Sequence, residues 1–444
     1  MVRRLPLASI LFALGAAALV FLAGIAVGTY RLPPFRQLHQ AMEALRDLRD
    51  NWRHYLGLRS KFVHPATRER GGTTIYDPER AFSGITVVSA YRDGQFGVFA
   101  LDMEGRIVHR WPIDPNRLWP ERAAEIAVFQ PAEKEFSIQG LWLKPDGTLY
   151  VISGDIGIAK LDRCGEPIWS LETGAHHDLA FREDGKLWVV AFEKVYEARP
   201  ERPGLYPGSD GFYWDELLLL MSDEGEVLKK VSLTDVLYQS GRADILLSGP
   251  GSSVMSRDED PLHNNTVDVL DRELAEAFPM FAPGDIMLSF RNVDTILVLD
   301  GESLEVKWDM RGPFVGQHDP DFLPNGNILL YDNRMTGETP KLGWSRLIQV
   351  DPATREVVWS WQKAPPLGFY SKSQGEQEML PNGNILTVAP YEGRVIEIEP
   401  ESGDVVWEWV NMVEPGWVGR VVDVLRFPAE ELTFIGRPCP DRAG

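Results

Sequence analysis

Apolar and polar residues alternate along most of this chain in one recurring pattern. One phrase occurs six times. It consists of an apolar segment, an acidic turn that usually contains Gly, and a second segment that usually ends in Trp. The copies are FALDMEGRIVHRW (99–111), AKLDRCGEPIWSL (159–171), LLLMSDEGEVLKKV (218–231), LVLDGESLEVKWDM (297–310), IQVDPATREVVWSW (348–361) and IEIEPESGDVVWEW (396–409). The copies begin roughly 50–80 residues apart, close to the ~40–50 residues of a four-stranded propeller blade plus insertions. The pattern therefore predicts one blade for each copy.

A second phrase lies between these copies. It reads LKPDGTLYVI (143–152), FREDGKLWVV (181–190), FLPNGNILLY (322–331) and MLPNGNILTV (379–388), with FAPGDIMLSF (281–290) as a degenerate fifth. Asp-Gly and Asn-Gly tolerate the positive φ of a tight turn, so they indicate hairpins between apolar strands. Together the two phrases predict an all-β fold, a six-bladed β-propeller, over residues 71–444.

The N-terminus follows a different pattern. Between Arg4 and Arg31 lie 26 uncharged residues. About 20 apolar residues span a bilayer, whereas the core of a signal peptide has ~7–15. We therefore expect residues 1–34 to be an uncleaved transmembrane helix, with a cleaved signal peptide as the alternative. Since Arg3 and Arg4 nearly balance Arg31 and Arg36, charge fixes the orientation weakly. We favour a propeller on the periplasmic, extracytoplasmic side because so short a tail before the span has no other evident purpose.

Residues 35–70 are expected to form an amphipathic helical stalk. Apolar positions recur at helical spacing at Leu38, Met42, Leu45, Trp52 and Leu56. The simplest interpretation is a stalk or a helix packed on the propeller. Alternatives are an oligomer formed through residues 35–60, or a helix that lies on the membrane surface.

Charge and cysteine content narrow the function. The chain carries a net charge of −20, although residues 1–70 alone carry +7. A basic segment next to the membrane suits anionic lipid, and the acidic remainder argues against nucleic acid as a partner. An anionic substrate would need a local cluster of cationic or neutral donors. Cys164 and Cys439 show no metal-ligand spacing, and a disulfide and two free thiols both fit them.

Histidines occupy equivalent positions in the repeats. His177 and His318 each lie eight residues before the Gly of the following turn phrase. Gln139 has this position in another copy, and in the fourth copy Gly375 has it, flanked by Gln374 and Glu376. His263 fits the same place, with an insertion before its turn. Equivalent positions in successive blades share one radial position, so we expect His177, His263 and His318 around one mouth of the central channel.

Several of these segments resemble the bacterial arylsulfate sulfotransferases and their wider arylsulfotransferase-like family. The segments are GQHDPDFLPNGNILLYDN (316–333), HHDLAFREDGKLWV (176–189), LSFRNVDTILVLD (288–300) and the His-x-Asn of His263 and Asn265. The resemblance covers roughly residues 80–410 and implies a six-bladed, periplasmic enzyme without a cofactor or a nucleotide sulfate donor. It implies sulfuryl transfer from an aryl sulfate donor to a phenolic acceptor, by a ping-pong route through a sulfohistidine.

The resemblance also implies roles for individual residues. His318 falls on the nucleophile, Arg291 on the arginine that holds the sulfuryl oxygens, and His263 on the acid that protonates the leaving phenol. Asn265 falls on the amide partner of that acid, and His177, or its neighbour His176, on a sulfate-binding histidine. These types suit the chemistry, because a neutral imidazole is nucleophilic near pH 7 and cationic donors stabilise charge on equatorial oxygens.

Three further residues are candidates for substrate binding: Asp319, Gln139 and Glu376. Asp319 either orients the His318 ring or serves as a turn or blade-contact carboxylate. No metal ligand is predicted. The insertion VDVLDRELAEAFPMFAPG (267–284) shifts the spacing between His263 and Arg291. The family's Thr contact has no match near Gln374, Glu376 and Gln377, where carboxylates would repel sulfate. The disulfide of the better-known enzymes has no expected counterpart.

Three other functions fit parts of the sequence. The three histidines and a carboxylate such as Glu376 could hold Zn or Fe in a metal-dependent enzyme, although Arg291 argues against a cation there. A membrane-tethered binding or assembly module without catalysis is a second possibility, and the aromatic loop 205–218 would suit its ligand. A pyrroloquinoline-quinone dehydrogenase is disfavoured by six rather than eight repeats and by the lack of vicinal cysteines.

Overall fold

The computed structural model describes residues 7–30, 35–128, 131–202, 205, 207, 211–247, 260–336 and 340–439. The chain divides into two compact units, Met1–Arg59 and Ser60–Gly444. The aromatic loop predicted at 205–218 lies partly outside the described residues.

In the first unit, the described residues include the helices α1 (Leu7–Tyr30) and α2 (Phe35–Tyr55). On α1, Leu11, Phe12 and Phe21 are exposed. Within the ranges that the structure describes, no helix meets the length and hydropathy needed to cross a membrane. The transmembrane anchor, the stalk and the oligomer therefore stay predictions.

The second unit is mostly β, and its described residues form six antiparallel sheets of four or five strands. Sheet I contains β3 (Ile85–Arg92), β4 (Gln95–Leu101) and β5 (Ile107–Trp111). Sheet II contains β6 (Ile138–Leu143), β7 (Leu149–Ser153), β8 (Gly157–Leu161) and β9 (Pro167–Glu172). Sheet III contains β10 (Ala175–Phe181), β11 (Leu187–Val195), β12 (Tyr213–Met221) and β13 (Val227–Ser232). Sheet IV contains β14 (Asn264–Val269), β15 (Ile286–Phe290), β16 (Thr295–Leu299) and β17 (Val306–Arg311). Sheet V contains β18 (His318–Phe322), β19 (Ile328–Asp332), β20 (Arg346–Asp351) and β21 (Glu356–Trp361).

Sheet VI consists of β22 (Gln377–Met379), β23 (Ile385–Ala389), β24 (Arg394–Glu399) and β25 (Asp404–Val410), with β2 (Gly72–Tyr76) added outside β25. The last strand, β28 (Val421–Phe427), pairs with β3 and completes sheet I. A small sheet contains β1 (Val63–Pro65), β26 (Met412–Glu414) and β27 (Trp417–Gly419). Short helices lie in the connections: α3 (Pro115–Leu118), α4 (Pro120–Ile126), α5 (Ala132–Glu135), α6 (Leu233–Gln239), α7 (Asp244–Leu247) and α8 (Arg272–Ala275).

Each copy of the repeated phrase forms the outer hairpin of one sheet. The Trp that ends the phrase is a hydrogen-bond donor between sheets. Trp111 Nε1 donates to Gly147 O at 3.1 Å, and Trp407 Nε1 donates to Met103 O at 2.8 Å. Trp169, Trp308 and Trp359 likewise donate to turn carbonyls of the following sheet. A buried indole needs a partner for its N–H, so the repeated Trp joins neighbouring sheets.

Apolar packing also links the sheets in sequence. Among the described residues, six buried clusters each combine side chains of two consecutive sheets. The last of them brings Val388 and Val395 of sheet VI against Val88 and Ala90 of sheet I, so the sheets pack in a closed cycle. The prediction of a mostly β, propeller-like fold is confirmed, with one sheet for each repeat.

The innermost strands are joined by acidic side chains next to β-bulges. Register shifts interrupt β10, β14 and β18 near their first residues. Within such shifts, carboxylates accept backbone N–H groups of the neighbouring sheet: Asp178 Oδ2 from Val267 N at 3.0 Å, and Asp319 Oδ2 from Gln377 N at 2.8 Å. A β-bulge changes the direction in which the neighbouring side chain points. These contacts fix the start of each inner strand, which is where the histidines lie.

Candidate active site

Four histidines gather at the starts of the inner strands of sheets III, IV and V. We call His176, His177, His263 and His318 the histidine cluster. The ring centroids of His177 and His263 lie 5.0 Å apart, and those of His177 and His318 lie 6.3 Å apart. Those of His176 and His263 are separated by 6.1 Å. The structure thus brings together the three histidines whose register in the repeats predicted a shared position.

His318 is held in one orientation by hydrogen bonds at Nδ1. It is 2% exposed, and Nδ1 lies 2.7 Å from Asn333 Oδ1 and 3.1 Å from Gly316 O. Since both partners are acceptors, Nδ1 carries the proton and Nε2 presents a lone pair, which accepts the Gln374 N–H at 3.2 Å. Burial, followed by the positive charge of Arg291, lowers the pKa of His318 to about 3. The imidazole is therefore neutral near pH 7, as a nucleophile must be.

Arg291 supplies a buried cation beside the cluster. It is the first residue of a short 3-10 turn after β15, and its backbone N donates to His263 O at 3.1 Å. The side chain is 4% exposed; Nε donates to Asn292 Oδ1 at 3.3 Å, and Nη2 has no hydrogen-bond partner among the described residues. A buried guanidinium N–H is rarely left unsatisfied, so Nη2 is suited to an anionic oxygen of a substrate.

His263 adopts positive φ (51°), and its Nδ1 contacts Asp260 Oδ2. Its Nε2 is buried and has no partner within the described part of the chain. Burial, then Arg291, His176 and His318, hold the pKa of His263 well below its usual range. Asn265 is 2% exposed and donates from Nδ2 to Gln317 O at 2.8 Å. The Asn265 side chain thus contacts the segment that leads into His318.

His177 and His176 contact each other through their Nδ1 atoms, at 2.6 Å. The His177 backbone N donates to Gln139 Oε1 at 3.1 Å, so Gln139 supports the residue that its repeat position predicted it would neighbour. His176 is 1% exposed, and its Nε2 lies 3.2 Å from Oε2 of the equally buried Glu216 on β12. Burial is the largest cause that lowers the pKa values of both histidines.

Asp319 and Glu376 lie elsewhere, in a cavity of about 740 Å³ that we call the acid cavity. Among the described residues, its lining includes no Lys, Arg or His, and its acidic members are Asp178, Asp268, Asp271, Asp319, Asp321, Glu376, Glu378 and Asp423. Burial raises the pKa of Asp319 to about 6 and that of Glu376 well above its usual range. Of the two roles considered for Asp319, the blade contact is the one observed, and Asn333 instead orients His318. The expectation that Asp319 and Glu376 bind the substrate stays a prediction, and the surrounding carboxylates count against it because excess carboxylate repels an anion.

The structure also shows the state of the two cysteines and three site residues that the sequence did not indicate. Cys164 and Cys439 form a disulfide, since the C-terminal segment returns to the β8–β9 turn; of the two states that the sequence left open for these cysteines, the disulfide is the one observed. Sequence reasoning also missed Asn333, Asp260 and Glu216. Asn333 is the last residue of the segment 316–333 that contains His318, and Asp260 lies three residues before His263. Their proximity in sequence to these histidines could have indicated both residues. Glu216 interrupts the apolar run of β12, and an acid in such a strand is the signal that was overlooked.

Comparisons with known proteins bear on this site. No curated protein matches the chain. Solved structures that it resembles include a protein of unknown function from Bacteroides caccae (12% identity, TM-score 0.49, covering 78% of this chain and 99% of that one). Another is the WD40 β-propeller domain of Doa1 (12% identity, TM-score 0.40, covering 78% of this chain and 86% of that one). A third is the β-propeller domain of Cps50 (Swd1) from Myceliophteria thermophila (10% identity, TM-score 0.40, covering 79% of this chain and 88% of that one).

A sequence profile of the arylsulfotransferase family (ASST) matches residues 149–412. The matched range is more than half of the chain and includes every member of the histidine cluster, Arg291 and Asn333. The chain therefore belongs to the arylsulfotransferase family.

Proposed function

We propose that this protein is an aryl sulfate sulfotransferase that needs no nucleotide sulfate donor and works through a sulfohistidine at His318. The observation that carries the proposal is the state of His318. Its neutral ring is fixed by Asn333 at Nδ1, and its Nε2 lone pair, which accepts the Gln374 N–H, lies in the histidine cluster beside Arg291. A fixed, neutral imidazole beside a buried cation is the pairing that nucleophilic attack on an anionic sulfate ester requires.

In the first half-reaction, His318 Nε2 attacks sulfur, the S–N bond forms, and the S–O bond to the phenol breaks. Arg291 Nη2 stabilises the charge on the equatorial oxygens. The phenolate oxygen takes a proton from protonated His263. In the second half-reaction an acceptor phenol returns a proton to His263, and its oxygen attacks the sulfur. The new S–O bond forms and the S–N bond breaks, which restores neutral His318. Atoms and charge balance over the two steps.

The low pKa of His263 has a consequence for the donor. Little of its acid form exists at neutral pH, so the enzyme gives limited help to a poor leaving group. Phenols that are themselves acidic need the least help. We therefore expect 4-nitrophenyl sulfate to be a better donor than sulfates of unsubstituted phenols.

The same proposal includes the setting of the enzyme. The closed cycle of six sheets supports a six-bladed β-propeller. We propose that residues 1–34 anchor it in the membrane, with the propeller on the periplasmic side. The Cys164–Cys439 disulfide supports that side, because disulfides persist in oxidising compartments.

The test is the mass of the intact full chain after brief exposure to 4-nitrophenyl sulfate or 4-methylumbelliferyl sulfate. We expect one sulfuryl adduct, localised to His318, with release of the phenol. His318→Ala should form no adduct and lose roughly 10³-fold or more in turnover, the scale seen when a covalent nucleophile is removed.

The matched control is His109→Gln, which alters a histidine outside the cluster that contacts Arg163 O. This variant should form the adduct as the wild type does. An adduct that persists in folded His318→Ala would refute the nucleophile. Folded wild type that yields neither adduct nor phenol would favour a binding module without catalysis.

A further inference from the structure

Three side chains near the histidine cluster are arranged like the ligands of one ion. Glu216 on β12, and Asp260 and His263 before β14, each offer a ligand atom, and these atoms lie within 4.8 Å of one another. Two atoms bound to a shared ion at ~2.1 Å lie at most ~4.2 Å apart. A shift of about half an ångström therefore suffices to place all three around one ion.

Each member of this trio has one polar atom that the described part of the chain leaves without a hydrogen bond. Within the ranges that the structure describes, Glu216 Oε2, Asp260 Oδ1 and His263 Nε2 are buried and have no hydrogen-bond partner. Glu216 is only 1% exposed. Leaving a buried carboxylate oxygen unsatisfied is costly. Three neighbouring side chains that each carry such an atom are suited to bind a cation.

His176 offers a fourth donor atom. Its Nε2 lies 3.2 Å from Glu216 Oε2, and it too lacks a hydrogen bond among the described residues. Its Nδ1 is already engaged by His177, so the ring cannot turn freely. A metal-ligating imidazole commonly has its second nitrogen fixed in this way.

The local charge also leaves room for a cation. Arg291 lies within electrostatic range of Asp260, Glu216 and Asp155. In the described part of the chain, these three carboxylates thus face one guanidinium. Arg291 therefore does not exclude a cation, because the carboxylates outnumber it.

We propose that Glu216, Asp260 and His263, with His176 as the fourth ligand, bind a divalent transition-metal ion of the Mn²⁺ or Zn²⁺ class. Two imidazoles favour Zn²⁺ and related ions, and two carboxylates suit Mn²⁺, whereas Ca²⁺ and Mg²⁺ prefer oxygen alone. This set differs from the ring of three histidines and Glu376 that the sequence suggested, because Glu376 lies in the acid cavity.

The proposal goes beyond sulfuryl transfer and does not rest on it. His318 is outside the metal cluster, and Asn333 holds its Nδ1. A bound ion would offset carboxylate charge beside Arg291 and so ease the approach of an anion. It would also engage His263, so the ion and the acid function of His263 would compete for that side chain.

The experiment is metal titration of the full chain, stripped with a chelator and dialysed. Titration calorimetry with MnCl₂ and with ZnSO₄ should show one ion per chain, and Co²⁺ should give a visible absorption band from nitrogen and oxygen ligands. Glu216→Gln keeps the size of the side chain and removes its charge. It should weaken binding at least tenfold. Asp260→Asn is a second variant, in case the first fails to fold, and should do the same.

The matched control is Glu376→Gln, which makes the same change to a buried acid in the acid cavity. It should bind the ion as the wild type does, and unfolding temperatures should verify that each variant is folded. Absence of 1:1 binding by the wild type, undiminished binding by both cluster variants, or equal loss in Glu376→Gln would each overturn the proposal. The sulfuryl adduct at His318 is measured separately, so failure of either proposal is seen without the other.

Discussion

The acid cavity predicts how the stability of this protein depends on pH, and Asp423 is the residue that isolates the effect. Asp423 lies on β28, and its Oδ2 accepts the Leu141 N–H at 2.8 Å. Burial raises the pKa of its carboxyl from 3.8 to about 8. The folded state therefore binds a proton that the unfolded chain has released. This stabilising contribution is fully present below about pH 3.8 and is lost as the pH rises through about 8.

The size of the loss follows from one proton. Between pH 5 and pH 7 the unfolded Asp423 is ionised and the folded one is protonated, so stability falls by ~1.4 kcal/mol per pH unit, about 3 kcal/mol in all. Unfolding entropy is ~2.1 cal/mol/K per residue. For the unit Ser60–Gly444 that is about 0.8 kcal/mol/K. One such proton therefore lowers the unfolding temperature by about 3–4 °C between pH 5 and pH 7.

Asp423→Asn removes the titrating group and keeps an oxygen for the Leu141 N–H. Thermal unfolding by intrinsic fluorescence, at the same scan rate for both proteins and at pH 5, 6 and 7, measures the effect. We expect the wild type to melt lower at pH 7 than at pH 5, and the variant to lose about 3–4 °C less. Asp268 and Glu378, whose pKa values burial raises to about 7, contribute to the slope that remains.

The control is Asp146→Asn in an exposed turn. A hydrogen bond from the Thr148 backbone lowers the pKa of Asp146. Its contribution is present above pH 3.8 and disappears only on further acidification, so the control should leave the slope between pH 5 and 7 unchanged. If Asp423→Asn melts in parallel with the wild type across this range, the carboxyl does not hold its proton in the folded state, and the reasoning is refuted.

Two more predictions concern single hydrogen bonds. Trp407→Phe leaves Met103 O without its donor in the core and should destabilise the protein by about 1–3 kcal/mol; the exposed Trp142→Phe is the control in the same melts, and equal effects would contradict a role for the indole N–H. Asn333→Asp places a carboxylate at His318 Nδ1 and should raise the pKa of that ring, so the acid limb of kcat/KM for 4-nitrophenyl sulfate should move about 1–3 pH units towards alkaline pH. An unmoved limb, in a folded variant, would show that the charge at this contact does not govern the nucleophile.

The architecture was largely readable from the sequence because the outer hairpins are local. Two strands and a tight turn close within about a dozen residues, so each copy of the repeated phrase carries its own signal. The inner strand of sheet I was not predictable in this way. Five turn phrases accompany six hairpins, and the missing strand is β28, which pairs with β3 from the other end of the chain. The Cys164–Cys439 disulfide has the same origin.

The candidate site was predictable only in part. Register relative to a turn placed His177 and His318 together, because equivalent positions in a repeat share a radial position. Side-chain partners do not follow from register. Asn333 reaches His318 across the hairpin of β18 and β19, and Glu216 reaches His176 from the third strand of sheet III. Such contacts depend on twist and on the width of the sheet, which one sequence does not state.

Asp319 shows why the side chains of adjacent residues lie in different sites of this fold. On a regular strand, consecutive side chains already point to opposite faces. The bulge between His318 and Asp321, together with a φ of 51° at Asp319, redirects the chain further. His318 therefore joins the histidine cluster, while the Asp319 carboxylate accepts Gln377 N and lines the acid cavity. The His-Asp pair of sheet III divides in the same way, with Asp178 bound to Val267 N. The bulge thus separates the histidine cluster from a carboxylate-lined cavity, although the residues of each alternate along the same strands.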